Sequence, residues 1–100
     1  MNDFGLQDSD IKSIVEILLK NPLINEAYFF GSRANGNFKT GSDVDIAVKG
    51  RDIDTDLISK VSYTLNEETL MPYKFDIIDY NSIVNKDLTD HIDRIGIKNL

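Results

Sequence analysis

The stretch from Phe29 to Val48 constrains the fold of this 100-residue chain more than any other part. An apolar strand is broken by Gly31-Ser32, and a polar, glycine-containing segment then leads to a second strand that begins with Asp43-Val44-Asp45. Because side chains alternate along a strand, the carboxylates of Asp43 and Asp45 point to the same side, roughly 6.5–7 Å apart along the backbone. Two such carboxylates repel each other unless a cation lies between them, and oxygen-only ligands suit Mg²⁺. The pattern therefore predicts a strand–turn–strand unit with a divalent-metal site.

The turn between the two strands has the composition of an anion-binding site. We expect a short helix over residues 33–37 with Ser32 as its N-cap. The unpaired N–H groups at such a helix start stabilise a phosphate, and Gly31 lets the backbone approach it closely because glycine has no Cβ. An anion-binding turn beside metal-binding carboxylates is the combination of sites that nucleotidyl transfer requires.

A third carboxylate is predicted on a later strand, Tyr73–Tyr80. Asp76 lies between two apolar residues there, and burying it is costly unless it has a partner. A metal shared with Asp43 and Asp45 would supply one. Asp79 is the alternative, but three residues along a strand it faces the opposite side and is better interpreted as a cap of the segment after the strand. Unperturbed aspartates have a pKa of about 3.9, so we expect all three carboxylates to be ionised near neutral pH.

Composition narrows the class of protein. The formal net charge is −6, no basic stripe is visible, and no cysteine is present. These features argue against direct nucleic-acid binding and exclude disulfides and thiolate metal sites. No apolar run is long enough to span a membrane and the N-terminus does not resemble a signal peptide, so we expect no membrane association and a cytoplasmic protein. The length predicts one domain over residues 1–100.

Hydrophobic periodicity predicts an α/β (α+β) domain with the order α-β-α-β-α-β-α: a small mixed sheet with flanking helices mainly on one face. The predicted helices beside the short one are Ser9–Lys20, Asp52–Asn66 and Asp87–Ile95, and the predicted strands are Ile24–Phe30, Asp43–Lys49 and Tyr73–Tyr80. Acidic residues at the start of the second long helix are interpreted as compensating the helix dipole rather than binding metal. His91, the only histidine, is predicted to lie on the surface, with a general-base role as the alternative.

The spacing Gly31-Ser32, ten residues, Asp43-Val44-Asp45 resembles the Gly-Ser-x10-Asp-x-Asp signature of the DNA polymerase β-like nucleotidyltransferase superfamily. The longer segment GSRANGNFKTGSDVDIAV resembles the minimal nucleotidyltransferases (MNT), which consist of the catalytic core alone. It departs from many relatives at Asn35, where they carry a basic residue. The resemblance implies the polymerase β-like fold and its strand order.

The resemblance also implies roles for individual residues. Asp43 and Asp45 would bridge two Mg²⁺ ions and the nucleotide phosphates, and Asp76 would hold the ion that activates the attacking hydroxyl. Arg33 is the first candidate for stabilising the developing charge, with Lys39 and Lys49 as alternatives. The implied nucleotide-binding residues are Gly31, Ser32, Arg33 and Ser42.

The acceptor is implied only by the family. Minimal nucleotidyltransferases are often the antitoxin of a pair whose other member is a helical HEPN protein, so the leading hypothesis is transfer of AMP from ATP to a hydroxyl of such a partner. The first alternative is a non-catalytic nucleotide-binding module that neutralises or regulates a helical partner by contact. Transfer to a small molecule such as an aminoglycoside would normally need an extra helical domain.

Overall fold

The computed structural model describes residues 5–31, 42–95 and 97–98. Its elements in chain order are helix α1 (Asp8–Leu19), strand β1 (Glu26–Phe30), strand β2 (Val44–Lys49), helix α2 (Thr55–Glu67), strand β3 (Phe75–Asp79), a 3-10 turn (Tyr80–Ser82), helix α3 (Lys86–Ile95) and strand β4 (Ile97–Lys98). The predicted α/β class is confirmed, whereas the short helix predicted over residues 33–37 lies outside the described residues. No helix in the described part of the chain is long and apolar enough to cross a bilayer.

The four strands form one mixed sheet in the order β3-β2-β1-β4. Strands β1 and β2 are antiparallel neighbours, with Glu26 opposite Lys49 and Phe30 opposite Asp45. Strands β2 and β3 are parallel, and α2 makes the crossover that a parallel pair requires. The two-residue strand β4 pairs antiparallel with β1 and was not predicted, because two residues are too few to show an alternating pattern.

Apolar side chains divide between the two faces of the sheet. Helices α1 and α2 cover one face, and this core includes Leu6, Ile14, Leu18, Ala27, Phe29, Val44, Ile46, Val48, Val61, Leu65, Phe75 and Ile77. Helix α3 covers the other face, where Ile92 packs against Phe30 and Ala47. The expectation of helices mainly on one face is therefore correct for α1 and α2. Helix α3 forms a second, smaller core on the face to which Asp43 and Asp45 point.

The start of β3 is held by a side chain that replaces a neighbouring strand. The Asn66 side chain donates from Nδ2 to the Phe75 carbonyl oxygen at 3.0 Å, and its Oδ1 accepts from the Phe75 N–H at 2.8 Å. On the other side of the strand, the Val44 N–H donates to the Lys74 carbonyl oxygen at 2.8 Å. Since β3 is an edge strand, these bonds determine where Asp76 lies relative to β2.

Two acidic residues act as caps: Asp79, as expected from the sequence, and Asp54, which was interpreted from the sequence as compensating the helix dipole. Asp54 is the N-cap of α2, which begins at Thr55 rather than at Asp52, and its Oδ1 accepts from the Leu57 N–H at 2.8 Å. Asp79 ends β3, and its Oδ1 accepts from the Asn81 N–H at 3.1 Å. Both carboxylates therefore satisfy backbone N–H groups at helix starts.

Candidate active site

The register of the sheet brings three aspartates to one region. Asp45 on β2 lies directly opposite Asp76 on β3, and Asp43 immediately precedes β2. Val44 and Ile46 are buried beneath α1 and α2. Strand alternation therefore directs Asp43 and Asp45 to the opposite face, beside α3. The parallel pairing of β2 with β3 is what joins residues that are far apart in the chain.

Asp76 is exposed, so the sequence argument that its burial demands a partner is wrong. Strand β3 is at the edge of the sheet, and its outer side faces solvent rather than another strand. An open groove of about 440 Å³ runs beside it, lined by Asp76 together with Ser59, Ser62 and Asn66 of α2. A larger groove of about 790 Å³ lies between α1 and α2, but none of the three aspartates lines it. The larger groove therefore does not coincide with the three aspartates.

Asp45 is the electrostatic centre of the group. The pKa of its carboxyl is raised from 3.8 to about 6, first by burial and then by the nearby charges of Asp76 and Asp43. The expectation of an ordinary pKa is therefore incorrect for Asp45, but a pKa of about 6 still leaves this carboxyl mostly ionised at pH 7, as expected from the sequence. The chain holds this carboxyl where its negative charge is unfavourable unless a cation is nearby.

The donor chemistry of this region fits Mg²⁺. Its three side chains offer only carboxylate oxygens, which hard cations prefer. Among residues 5–31, 42–95 and 97–98, no three carboxylate, imidazole or thiol groups form a ready metal-binding cluster. Mg²⁺ does not need such a cage, because it is usually held by one or two carboxylates, waters and the phosphates of its substrate. Asp43, Asp45 and Asp76 would hold it here.

Gly31 is packed against the Asp45 carboxylate. A Cβ added at residue 31 would overlap Asp45 Oδ2 and lie 3.1 Å from Asp45 Cγ. Gly31 also has a positive φ of 78°, a conformation in which any other L-residue is strained. Both observations require glycine at this position. The end of β1 and the Asp45 carboxylate of β2 are therefore in direct contact.

His91 is part of this region rather than a simple surface residue, and the prediction of surface placement is wrong. Its side chain on α3 is half-buried, and its Nε2 accepts a hydrogen bond from the Gly31 N–H at 3.2 Å. Its ring meets Phe30 edge to face, with centroids 6.3 Å apart. Flanking aspartates on a polar helix concealed this contact, and no pattern in the sequence points to it.

The structure describes only some of the other predicted site residues. Ser42 is half-buried directly before Asp43, while Ser32, Arg33 and Lys39 lie outside the described residues. Lys49 is at the far end of β2, where its Nζ lies 4.0 Å from the Tyr80 ring centroid and 5.2 Å from that of Tyr28. Its separation from Asp45 is about 13 Å along the strand, which removes Lys49 as an alternative to Arg33.

Solved structures define the class to which this fold belongs. A toxin–antitoxin complex with AMP-PNP superposes with a TM-score of 0.75 at 26% identity, covering 88% of this chain and 70% of the other. A Shewanella oneidensis MNT antitoxin complex with a tri-AMPylated HEPN toxin superposes with a TM-score of 0.72 at 22% identity, covering 93% and 71%. A MntA–HepT complex carrying a Y104A mutation gives a TM-score of 0.75 at 24% identity, with 96% and 73% covered. The shared fold is that of a minimal nucleotidyltransferase.

The family follows from the sequence comparison. The model of the family described as "Polymerase beta, Nucleotidyltransferase" matches residues 12–98. The chain therefore belongs to the polymerase β nucleotidyltransferase family, as its Gly-Ser and Asp-x-Asp motif indicated. Among curated proteins, no significant match is found.

Proposed function

We propose that this nucleotidyltransferase domain transfers AMP from ATP, with Mg²⁺, to a hydroxyl group on a helical HEPN-type partner protein and thereby acts as the antitoxin of a pair. The observation that carries the proposal is the pairing of Asp45 with Asp76 beside Gly31. That arrangement supports the binding of a nucleotide phosphate and an acceptor hydroxyl beside the same carboxylates.

The proposed reaction is an in-line displacement. The acceptor oxygen attacks the α-phosphorus of ATP, the bond between the α-phosphorus and the bridging oxygen breaks, and pyrophosphate leaves with that oxygen. The hydroxyl proton passes to solvent, and AMP remains linked to the acceptor oxygen. Bound Mg²⁺ would supply charge neutralisation on the phosphates and would lower the pKa of the acceptor hydroxyl.

Each residue has a distinct part in the proposal. Asp43 and Asp45 would hold both cations against the nucleotide phosphates. Asp76 would hold the acceptor-side cation, and its exposure beside an open groove supports access by a large acceptor. Gly31, Ser32, Arg33 and Ser42 would contact the phosphates.

The choice of nucleotide and partner rests on the structural neighbours. One neighbouring toxin–antitoxin complex contains AMP-PNP, which supports an adenine nucleotide. In another, the HEPN toxin beside the MNT antitoxin is tri-AMPylated, which supports AMP transfer to a protein. A formal charge of −6 agrees with a protein acceptor better than with nucleic acid.

The test is incubation with Mg²⁺ and ATP labelled at the α-phosphate, with and without a candidate helical HEPN-type partner. A parallel incubation uses ATP labelled at the γ-phosphate. We expect the α-label, and not the γ-label, on the partner. Label on the partner from γ-labelled ATP would instead mean phosphoryl transfer. Nucleotide binding that neutralises the partner without any label would establish the non-catalytic module in place of the enzyme.

Matched variants locate the site in the same assay. Asp43→Asn and Asp76→Asn should each abolish labelling, while Asp52→Asn removes an exposed carboxylate away from the site and should leave it unchanged. Asp79→Asn separates the two candidates for the third carboxylate, since Asp79 acts as a cap. Labelling that survives Asp76→Asn but not Asp79→Asn would exchange their roles.

A further inference from the structure

Gly31 is contacted from two sides. The Asp45 carboxylate packs against its Cα, and His91 Nε2 accepts a hydrogen bond from its N–H at 3.2 Å. The register of the sheet explains why both contacts meet there, because Phe30 lies opposite Asp45 and also packs against the His91 ring. The histidine thus reaches from α3 to the residue that directly follows β1.

The hydrogen bond from the Gly31 N–H to His91 restricts the backbone conformation of Gly31. Glycine populates many backbone conformations, so the local sequence does not select the φ of 78° that Gly31 adopts. A hydrogen bond to its N–H orients the peptide plane between Phe30 and Gly31 and favours that one conformation. A glycine already held in one conformation needs less ordering when a nucleotide binds beside it, so the nucleotide binds more tightly.

We propose that His91 is a positioning residue of the nucleotide site: its imidazole, accepting at Nε2, holds Gly31, a predicted nucleotide-binding residue, in place against the Asp45 carboxylate. This inference rests on the proposed function, since it assigns His91 to the same nucleotide site. It also makes α3 a part of that site, although none of the motif residues lies on this helix. In this role His91 acts through Gly31.

The experiment compares His91→Leu, which keeps side-chain bulk but has no acceptor, with His91→Gln, whose Oε1 can accept a hydrogen bond near the position of Nε2. Lys86→Gln, an exposed change on the same helix, is the control. Binding of α,β-methylene-ATP with Mg²⁺ is measured by calorimetry, since this analogue cannot undergo cleavage at the α–β bond. Gly31 amide hydrogen exchange and the imidazole nitrogen shifts are measured by NMR.

We expect His91→Leu to raise the dissociation constant about tenfold and to speed hydrogen exchange at Gly31, and we expect His91→Gln to recover most of both. The wild-type spectrum should show Nε2 without a proton. Unchanged affinity in His91→Leu, or a proton on Nε2 at neutral pH, would overturn the inference and leave the proposed function standing. If the wild-type protein binds no nucleotide with Mg²⁺, both fail together. Thermal unfolding of each variant ensures that only folded proteins are compared.

Discussion

Replacing Asp45 with asparagine should stabilise the folded protein while abolishing nucleotide transfer. Asparagine has nearly the same shape as aspartate, so the contact with Gly31 is kept, but the buried negative charge is removed. A rise in the pKa from 3.8 to about 6 corresponds to about 3 kcal/mol if it is realised in full. Because the carboxyl is only half-buried, solvent screening reduces this to about 1–2 kcal/mol.

The cost of the Asp45 charge to folding stability should change with pH in a direction that can be checked. Below about pH 4 the Asp45 carboxyl is protonated in both the folded and the unfolded chain, so it does not alter the free energy of unfolding. Between about pH 4 and pH 6 the unfolded chain loses this proton while the folded chain retains it, so stability falls as the pH rises. Above about pH 6 the full cost is present. The stability gain in Asp45→Asn should therefore appear across this interval and level off above it.

The assay is thermal unfolding of wild type, Asp45→Asn and Asp52→Asn from pH 4 to pH 8 without divalent cations. Asp52 is exposed, so its variant removes the same formal charge and reports the effect of net charge alone. At pH 7.5 we expect Asp45→Asn to unfold at a temperature about 5–15 °C above wild type and Asp52→Asn to differ little. A destabilised Asp45→Asn protein, or a gain that does not vary with pH, would refute the idea that this carboxyl is held in an unfavourable environment.

Three further outcomes follow from the same contacts. Gly31→Ala should cost at least about 1–2 kcal/mol of unfolding free energy, and a double-mutant cycle with Asp45→Gly should recover the part due to overlap but not the part due to φ. Asn66→Leu should cost about 2 kcal/mol by urea unfolding, because it removes both bonds to Phe75, and a change below about 0.5 kcal/mol would count against the amide holding β3. Mg²⁺ affinity measured by calorimetry should fall steeply below about pH 6, since the Asp45 proton must leave, and a flat profile from pH 5 to pH 8 would exclude Asp45 as a ligand.

The local sequence was sufficient to predict features that depend only on residues close together in the chain. The Gly-Ser and Asp-x-Asp motif indicated the family, and alternation along β2 correctly directs Asp43 and Asp45 to one side. Asp79 was correctly assigned as a cap from its position at a strand end. These inferences succeed because strand alternation and capping depend on residues only a few positions apart.

The predictions that were wrong concern the environments of Asp76, His91 and Asp45. Asp76 was expected to be buried because its sequence neighbours are apolar, but the edge position of β3 exposes it. His91 was expected at the surface because its neighbours are acidic, but α3 turns it towards Gly31. Asp45 was expected to have an ordinary pKa, although burial and two neighbouring carboxylates raise it. In each case residues distant in the chain contribute to the environment, including Asp76 in the case of Asp45.

The sequence by itself determined the family, the three longer strands, the three long helices and the kinds of side chain available for phosphate and Mg²⁺. Only the tertiary structure decided that Asp45 pairs with Asp76, that Gly31 lies against the Asp45 carboxylate, and that His91 accepts a hydrogen bond from the Gly31 N–H. The physical reason is that burial, electrostatic coupling and hydrogen bonding depend on distances through space, and these arise when strand register and helix packing bring remote segments together.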